Sequence, residues 1–239
     1  MARSQTDALF VGSENVVRAT TMTDILAAFV QATALKNLDR ASLLFFDKPW
    51  QDKDTPPESI TATATWGIDD SIPLVDVGTT FPFAAFPGTQ FLNRDIPNVI
   101  DDVLTNPRID EGARRLFSEG LGVRSVIIIP LVAGDQWIGF VFGLSEYMYH
   151  MKENDIRQIM SLAGQAATVA QSQRLYQEAS TRAEREQILR QVSDRVYAAP
   201  DAETVLRTAA REIGQALGLE TYIYLENELT GDETLLTTK

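Results

Sequence analysis

Two apolar runs joined by a short polar turn lie between residues 123 and 145, and they constrain the fold more than any other feature of this chain. The runs occupy residues 126–129 and 137–142. Strands that are apolar at successive positions are buried on both faces, so this stretch predicts a hairpin at the centre of a sheet. Pro130 has no N–H to donate to a neighbouring strand, so it marks an edge, a bulge or a strand end.

The N-terminal half predicts a helix followed by a second hairpin. Thr21 can cap a helix whose first turn holds Asp24, and apolar residues follow at helical spacing. A strand is predicted at residues 41–46 and a polar turn region at residues 47–57. Residues 59–66 alternate apolar side chains with threonine, which indicates the second, half-exposed strand of this hairpin.

Residues 67–122 form a long segment rich in proline and glycine. A loop that also carries aromatic residues is expected to pack against the domain. We predict a strand near residues 98–100 and a short helix at residues 111–119, capped by Asp110 and ended by Gly120. The first half of this segment holds four phenylalanines, Phe81, Phe83, Phe86 and Phe91.

A very long helix is predicted from about Lys152, because Gly164 is the one glycine or proline before Pro200. One stripe of this helix consists mostly of small residues, which permit close helix packing. We expect part of the stripe to cover the sheet and part, including Ala163 and Ala170, to meet a partner helix in a parallel dimer. Residues 176–187 are poor in apolar side chains, which predicts a solvated or weakly paired stretch.

The central hairpin and the helix that follows it resemble the C-terminal half of a GAF domain, a small-ligand sensor module related to PAS domains. Residues 100–103, 106–108 and 121–125 match the segment that walls the ligand cavity in that family. The resemblance implies an α+β fold with a central antiparallel sheet of about six strands, flanked by helices and followed by a long C-terminal signalling helix. It implies a sensor without naming its ligand.

The pattern divides the chain into four parts. Residues 1–20 are an N-terminal segment, residues 21–175 a complete GAF-like sensor domain, and residues 152–199 a long connecting helix that overlaps the end of that domain. Residues 200–239 repeat the first helix and strand in register at an offset of 180 residues. We interpret them as the truncated start of a second GAF-like domain in a longer tandem protein.

Composition counts against several classes of protein. The absence of cysteine removes disulfides, thiolate metal sites, cysteine nucleophiles and thioether-linked chromophores from these 239 residues. A formal charge of −12 disfavours nucleic acid and anionic membranes as partners. No stretch approaches the roughly 20 apolar residues of a membrane span, and the N-terminus lacks a signal-peptide pattern, so we expect a cytoplasmic location.

Catalysis is not expected from this sequence. His150 is its only histidine and falls in a predicted loop before the long helix. A single histidine without cysteines or clustered carboxylates seldom holds a metal ion, and no glycine loop that could bind phosphate is present. We therefore predict no enzyme activity, no metal site and no cofactor.

The candidate ligand site combines the four phenylalanines with polar groups of the segment from residue 75 to residue 125. Arg94 and Arg124 are the candidate anchors, because an arginine in an apolar cavity can bind a carboxylate or phosphate through two hydrogen bonds. Surface exposure or a structural ion pair is the alternative for each arginine, and an ordinary core is the alternative for the phenylalanines. Asp102 suits a turn or cap, and Ser125 belongs to the same predicted wall.

Two functions remain open. In the first, the domain binds a small molecule and relays that event through the long helix to a downstream output domain of the full-length protein. In the second, side chains fill the pocket and the domain is a scaffold for dimerisation and spacing. A cavity of a few hundred Å³ would favour sensing, whereas an interior filled by phenylalanine would favour the scaffold. A parallel homodimer is expected in both.

Overall fold

The computed structural model describes residues 2–51, 54–69, 72–197, 202–217, 222–226 and 233–237. The chain forms two compact units, Met1–Arg174 and Leu175–Lys239. The helices are α1 (Ala2–Arg18), α2 (Met22–Ala32), α3 (Glu111–Arg115), α4 (Glu153–Tyr197) and α5 (Ala202–Leu217). The strands are β1 (Arg40–Trp50), β2 (Ser59–Gly67), β3 (Thr80–Pro82), β4 (Asn98–Ile100), β5 (Ser125–Ala133), β6 (Gln136–Ser145), β7 (Tyr222–Glu226) and β8 (Glu233–Thr237).

The first unit is built on a six-stranded sheet in the order β3-β2-β1-β6-β5-β4. Every neighbouring pair of its strands is antiparallel. The predicted central hairpin is β5 and β6, and it lies in the middle of the sheet beside β1. This arrangement, with its flanking helices and the long helix α4 after the sheet, confirms the predicted α+β fold.

Both faces of the sheet are covered, which explains why β5 and β6 are apolar at successive positions. On the first face, Ile127 and Ile129 pack with α1, α2 and α4. On the second face, Val126 and Ile128 pack under the irregular segment between β2 and β5. Because side chains of a strand alternate between faces, one hairpin supplies the centre of two separate cores.

The small-residue stripe of α4 lies on the first face of its own domain. Ala163 and Ala170 are 1% and 0% exposed there, so the prediction that they meet a partner helix is wrong. Small side chains let the helix approach the sheet closely. Ala163 and Ala170 therefore make their contacts within a single chain. The stripe residues buried in this way are Ile159, Leu162, Ala163, Ala166, Ala167 and Ala170.

Strand β1 is longer than the sequence predicts. The apolar run ends at Phe46 and the sequence predicts a turn region from residue 47, but β1 continues to Trp50. The reason is a tertiary contact, because Trp50 pairs with Trp137 of β6 and buries part of its ring there. The connection to β2 begins after Trp50. The Asp47 carboxylate accepts the backbone N–H groups of Glu58 and Ser59, where β2 starts.

The segment between β2 and β5 is ordered by short elements. It contains 3-10 turns at Phe83–Ala85 and Thr89–Phe91 together with strands β3 and β4. Asp110 caps α3 as predicted, since its Oδ1 accepts the N–H of Ala113 at 2.8 Å. The predicted helix changes after α3 into a π-helical turn, Leu116–Gly120.

The second unit contains the rest of α4, helix α5 and an antiparallel hairpin of β7 and β8. The order helix, strand, strand is the same as that of α2, β1 and β2 in the first unit. The assignment of residues 200–239 to a second GAF-like domain stays a prediction. Within the described ranges, none of the helices has the length and apolar character needed to span a membrane.

Candidate functional site

Two tryptophans at the ends of adjacent strands form the aromatic centre of the candidate site. Trp50 ends β1 and pairs with Trp137, the second residue of β6. Their rings are stacked, with centroids 4.7 Å apart and planes 10° from parallel. Phe46 packs edge-on against both rings at 5.8 and 5.4 Å. The Trp137 indole N–H donates to the Gly139 carbonyl at 2.8 Å, so the buried ring is held in one orientation.

A cavity of about 450 Å³ lies beside this stacked pair. Its volume falls within the roughly 300–1,000 Å³ that is typical of small-molecule pockets. Two indoles and a leucine give it apolar walls, and four polar side chains can orient an occupant. We call it the tryptophan cavity, and its lining residues are Trp50, Gln51, Leu92, Asn93, Arg94, Asp95 and Trp137.

Arg94 is fixed in the wall of the tryptophan cavity by the β5–β6 turn. Its Nη2 donates to the carbonyl oxygen of Asp135 at 2.6 Å. The loop that carries it is held by Asn93, whose Oδ1 accepts the N–H groups of Asp95 and Ile96 at 2.9 and 3.2 Å. The structure therefore places one predicted anchor, Arg94, next to a cavity of ligand size.

The four predicted phenylalanines lie in one cluster on the second face of the sheet. Phe86 and Phe91 are 7% and 6% exposed, whereas Phe81 and Phe83 are half-buried. The Phe86 ring contacts Phe81, Phe140 and Phe142 at centroid distances of 5.7, 5.5 and 5.4 Å. These rings fill the space between the sheet and its covering segment, while Phe83 extends the cluster to Trp50 at 5.2 Å.

Asp102 and Arg124 form a two-point ion pair. The Arg124 Nε and Nη2 groups donate to the two Asp102 oxygens at 2.8 and 2.9 Å. Asp102 also accepts the N–H of Leu104 and the hydroxyl of Thr105, as expected for a turn. The hydrogen bonds from Arg124 are the largest cause that lowers the pKa of Asp102 to about 2, and the same pairing raises the pKa of Arg124.

Ser125 is buried beside this ion pair, far from the tryptophan cavity. Its hydroxyl lies 2.9 Å from the Tyr147 carbonyl and accepts the Tyr149 N–H at 2.6 Å. Ser125 begins β5, whereas Trp137 pairs with Val132 near the opposite end of that strand. At about 3.3 Å per residue the two ends are roughly 23 Å apart. Arg94 and Arg124 therefore cannot bind the same small ligand.

Sequence reasoning missed Trp50, Trp137 and Gln51 as residues of the site. The sequence predicts Trp50 within the polar turn region of residues 47–57 and Trp137 within the returning strand of the central hairpin. A usable signal was present: each tryptophan lies beside the polar residues of a predicted turn. Tryptophans in such positions of neighbouring strands can form a shared wall.

His150 lies in the loop before α4, as predicted, and is exposed. Its Nδ1 is 2.6 Å from Oδ2 of Asp101. Among the residues that the structure describes, no group of three or more histidine, cysteine or acidic side chains could hold a metal ion.

A GAF domain family model matches residues 18–169. The match covers more than half of the chain and includes the whole six-stranded sheet. The chain belongs to the GAF domain family, which confirms the resemblance inferred from the central hairpin.

Solved phytochrome structures share this fold. The phycoerythrobilin-bound GAF domain of a cyanobacterial phytochrome aligns with a TM-score of 0.55 at 16% identity, over 74% of this chain and 100% of that chain. The photosensory core module of the Stigmatella aurantiaca phytochrome aligns with a TM-score of 0.59 at 14% identity, over 98% of this chain and 49% of that chain. No curated protein sequence matches the chain.

A bacteriophytochrome from the photosynthetic bacterium R. palustris is similar too, with a TM-score of 0.58 at 11% identity, over 99% of this chain and 50% of that chain. The chain thus spans about half the length of the two larger structures. At identities this low, the structural alignments establish a common fold. The ligand of this chain depends on its own residues.

Proposed function

We propose that this chain is a non-catalytic sensory or regulatory module of a signalling protein, which binds a small molecule in the tryptophan cavity and relays that event through α4. The observation that carries the proposal is a set of contacts between α4 and residues of β1 and β6 that lie next to the tryptophans of the cavity. Arg174 donates to the carbonyl oxygens of Phe46 and Asp47 at 3.0 and 3.1 Å. Gln171 donates to the side-chain oxygen of Gln136 at 3.3 Å.

These contacts lead directly to the aromatic walls of the cavity. Phe46, whose carbonyl binds Arg174, packs its ring against both Trp50 and Trp137. Gln136, which binds Gln171, immediately precedes Trp137. A ligand that moves either tryptophan therefore displaces groups that hold α4, and the helix continues without interruption from Arg174 into the second unit.

The relay is expected to be reciprocal, because a coupling free energy between two sites acts in both directions. Arg174→Ala should alter the fluorescence and near-ultraviolet circular dichroism of the stacked tryptophans in a Trp66→Phe background, where Trp50 and Trp137 are the remaining tryptophans. The control is Arg157→Ala on the same helix, since Arg157 pairs with Glu153 on an exposed surface. Equal spectra for both variants would contradict the relay.

We propose in addition that the module is a parallel homodimer through the second half of α4. The exposed apolar side chains there include Leu175 and Leu189, at 53% and 66% exposure. They are separated by two heptads, so they occupy the same position of a coiled-coil repeat. Arg182 takes that position between them, which makes the seam weak and suits a helix that shifts between two arrangements.

The dimer is tested by sedimentation equilibrium at micromolar concentration. Wild-type protein should be dimeric, and Leu175→Glu combined with Leu189→Glu should make it monomeric without changing the thermal unfolding of the first unit. Glu178→Gln with Glu184→Gln is a control on the same part of the helix, and it should stay dimeric. A wild-type monomer at all concentrations would refute the proposal.

The scaffold function stays as a second proposal because one observation favours it. The phenylalanine cluster fills the second face of the sheet, as an ordinary core would. In this version the module dimerises and spaces its neighbours without a ligand. The tryptophan cavity distinguishes the two proposals, since Trp50, Leu92 and Trp137 belong to or pack against that core and also line a space in which a ligand has room to bind.

We also propose further domains and a cellular location for the full-length protein. A second GAF-like domain beginning near residue 200, a downstream output domain and a cytoplasmic location are predictions from the sequence. A formal charge of −12 supports partners other than nucleic acid or anionic membranes, because like charges repel.

A further inference from the structure

We infer that the tryptophan cavity binds a planar aromatic or heteroaromatic molecule that carries one carboxylate. This inference names the ligand class of the sensor proposed above and rests on that proposal. Three properties of the cavity lead to it: its flat aromatic walls, one fixed guanidinium, and the acidic residues Asp95 and Asp135 nearby.

The aromatic walls select a planar ring. Trp50 and Trp137 line the cavity together, and their stacking keeps the two indole planes within 10° of each other. Phe46 and Phe83 pack nearly perpendicular to the Trp50 ring, at centroid distances of 5.8 and 5.2 Å. Aromatic rings prefer offset-stacked or edge-to-face contact with other rings, so a flat unsaturated occupant gains most from such walls.

Arg94 selects the carboxylate. Its contact with the Asp135 carbonyl uses one N–H, whereas a guanidinium carries five in a planar fork that matches a carboxylate. The carbonyl contact fixes the side chain before any ligand arrives, so little conformational freedom is lost when an anion binds.

Nearby acidic groups limit the charge of the ligand. The Asp95 carboxylate lines the same cavity, Asp135 lies in the turn that holds Arg94, and the chain as a whole carries −12. A phosphate monoester or a dicarboxylate would be repelled by these groups more strongly than a single carboxylate. The class that remains is an aromatic monocarboxylate.

The test uses three matched probes and isothermal titration calorimetry: indole-3-acetate, indole and tryptamine. Indole-3-acetate should bind most tightly, with tryptamine at least about tenfold weaker. Arg94→Gln should weaken indole-3-acetate about tenfold, the loss of one charge-assisted contact, and leave indole nearly unchanged. Arg108→Gln is the control, because Arg108 also donates to a carbonyl, that of Val99 at 3.0 Å, outside the lining of the cavity.

The position of the ligand is read from the indole N–H signals of the ¹⁵N-labelled protein. Indole-3-acetate should shift the signals of Trp50 and Trp137 and leave Trp66, which packs on the other face of the sheet, unchanged; a Trp66→Phe variant assigns that signal. The inference is overturned if no probe at millimolar concentration shifts Trp50 or Trp137, or if Arg94→Gln does not weaken indole-3-acetate.

Failure of the sensor proposal has a different signature. Binding of indole-3-acetate that is insensitive to Arg174→Ala would support the ligand class and count against the relay. An effect of Arg174→Ala on the tryptophan spectra without binding of any probe would support the relay and overturn the ligand class.

Discussion

Replacing Gly139 by alanine is expected to lower the free energy of unfolding of the first unit by about 3 kcal/mol or more. A Cβ at this position would lie 2.1 Å from the Leu44 carbonyl oxygen and 2.9 Å from the Phe45 Cα. Both atoms belong to the backbone of β1, so no side-chain rotation relieves the clash. The Gly139 carbonyl also accepts the Trp137 indole N–H, so the tryptophan cavity should be disturbed at the same time.

Gly164→Ala is the matched control for this substitution. Gly164 lies inside α4, and a Cβ there would meet nothing within 4 Å. Alanine has a higher helix propensity than glycine, so this variant should gain about 0.5–1 kcal/mol. All three tryptophans lie in the first unit, so urea unfolding followed by their fluorescence reports on that unit. A Gly139→Ala variant within about 1 kcal/mol of wild type would contradict the close approach of β1 and β6.

The central hairpin could be predicted from the sequence because its physical cause is local. Residues 126–129 and 137–142 are apolar at every position apart from Gly139, and only a strand covered on both faces buries such a run. The cap of α3 was equally local, since Asp110 bonds to a backbone N–H three residues away. Features set by neighbours along the chain were therefore recovered, together with the fold class.

The site was predicted less well because its walls come from distant parts of the chain. Trp50 and Trp137 are far apart in sequence, and the register of β1 against β6 brings them together. No local pattern reveals that register, and Pro49 indicates a turn on local grounds. The sequence groups Arg94 and Arg124 because both lie in one segment. In the structure Arg94 lies by the β5–β6 turn, whereas Arg124 lies by the opposite end of β5.

Phe86→Ala is expected to lower the free energy of unfolding by about 3–5 kcal/mol, the usual cost of removing a buried phenylalanine ring. Phe86 is 7% exposed and contacts three other phenylalanine rings. If those rings form an ordinary core, the substitution leaves a dry, apolar cavity that the neighbouring side chains do not fill. Benzene should then bind that space and recover part of the lost stability by mass action.

Phe10→Ala is the control, because Phe10 on α1 is 65% exposed. Its loss should change the free energy of unfolding by less than about 0.5 kcal/mol, as is usual for surface positions. Urea unfolding of both variants, with and without benzene, shows whether the phenylalanines on the second face of the sheet form an ordinary core or a loosely held cluster. A Phe86→Ala variant that loses less than about 1 kcal/mol would show that the phenylalanines are loosely held, and the second face of the sheet would then become a competing ligand site. A large loss that benzene partly reverses would leave the tryptophan cavity as the place where a sensor built on this core receives its ligand.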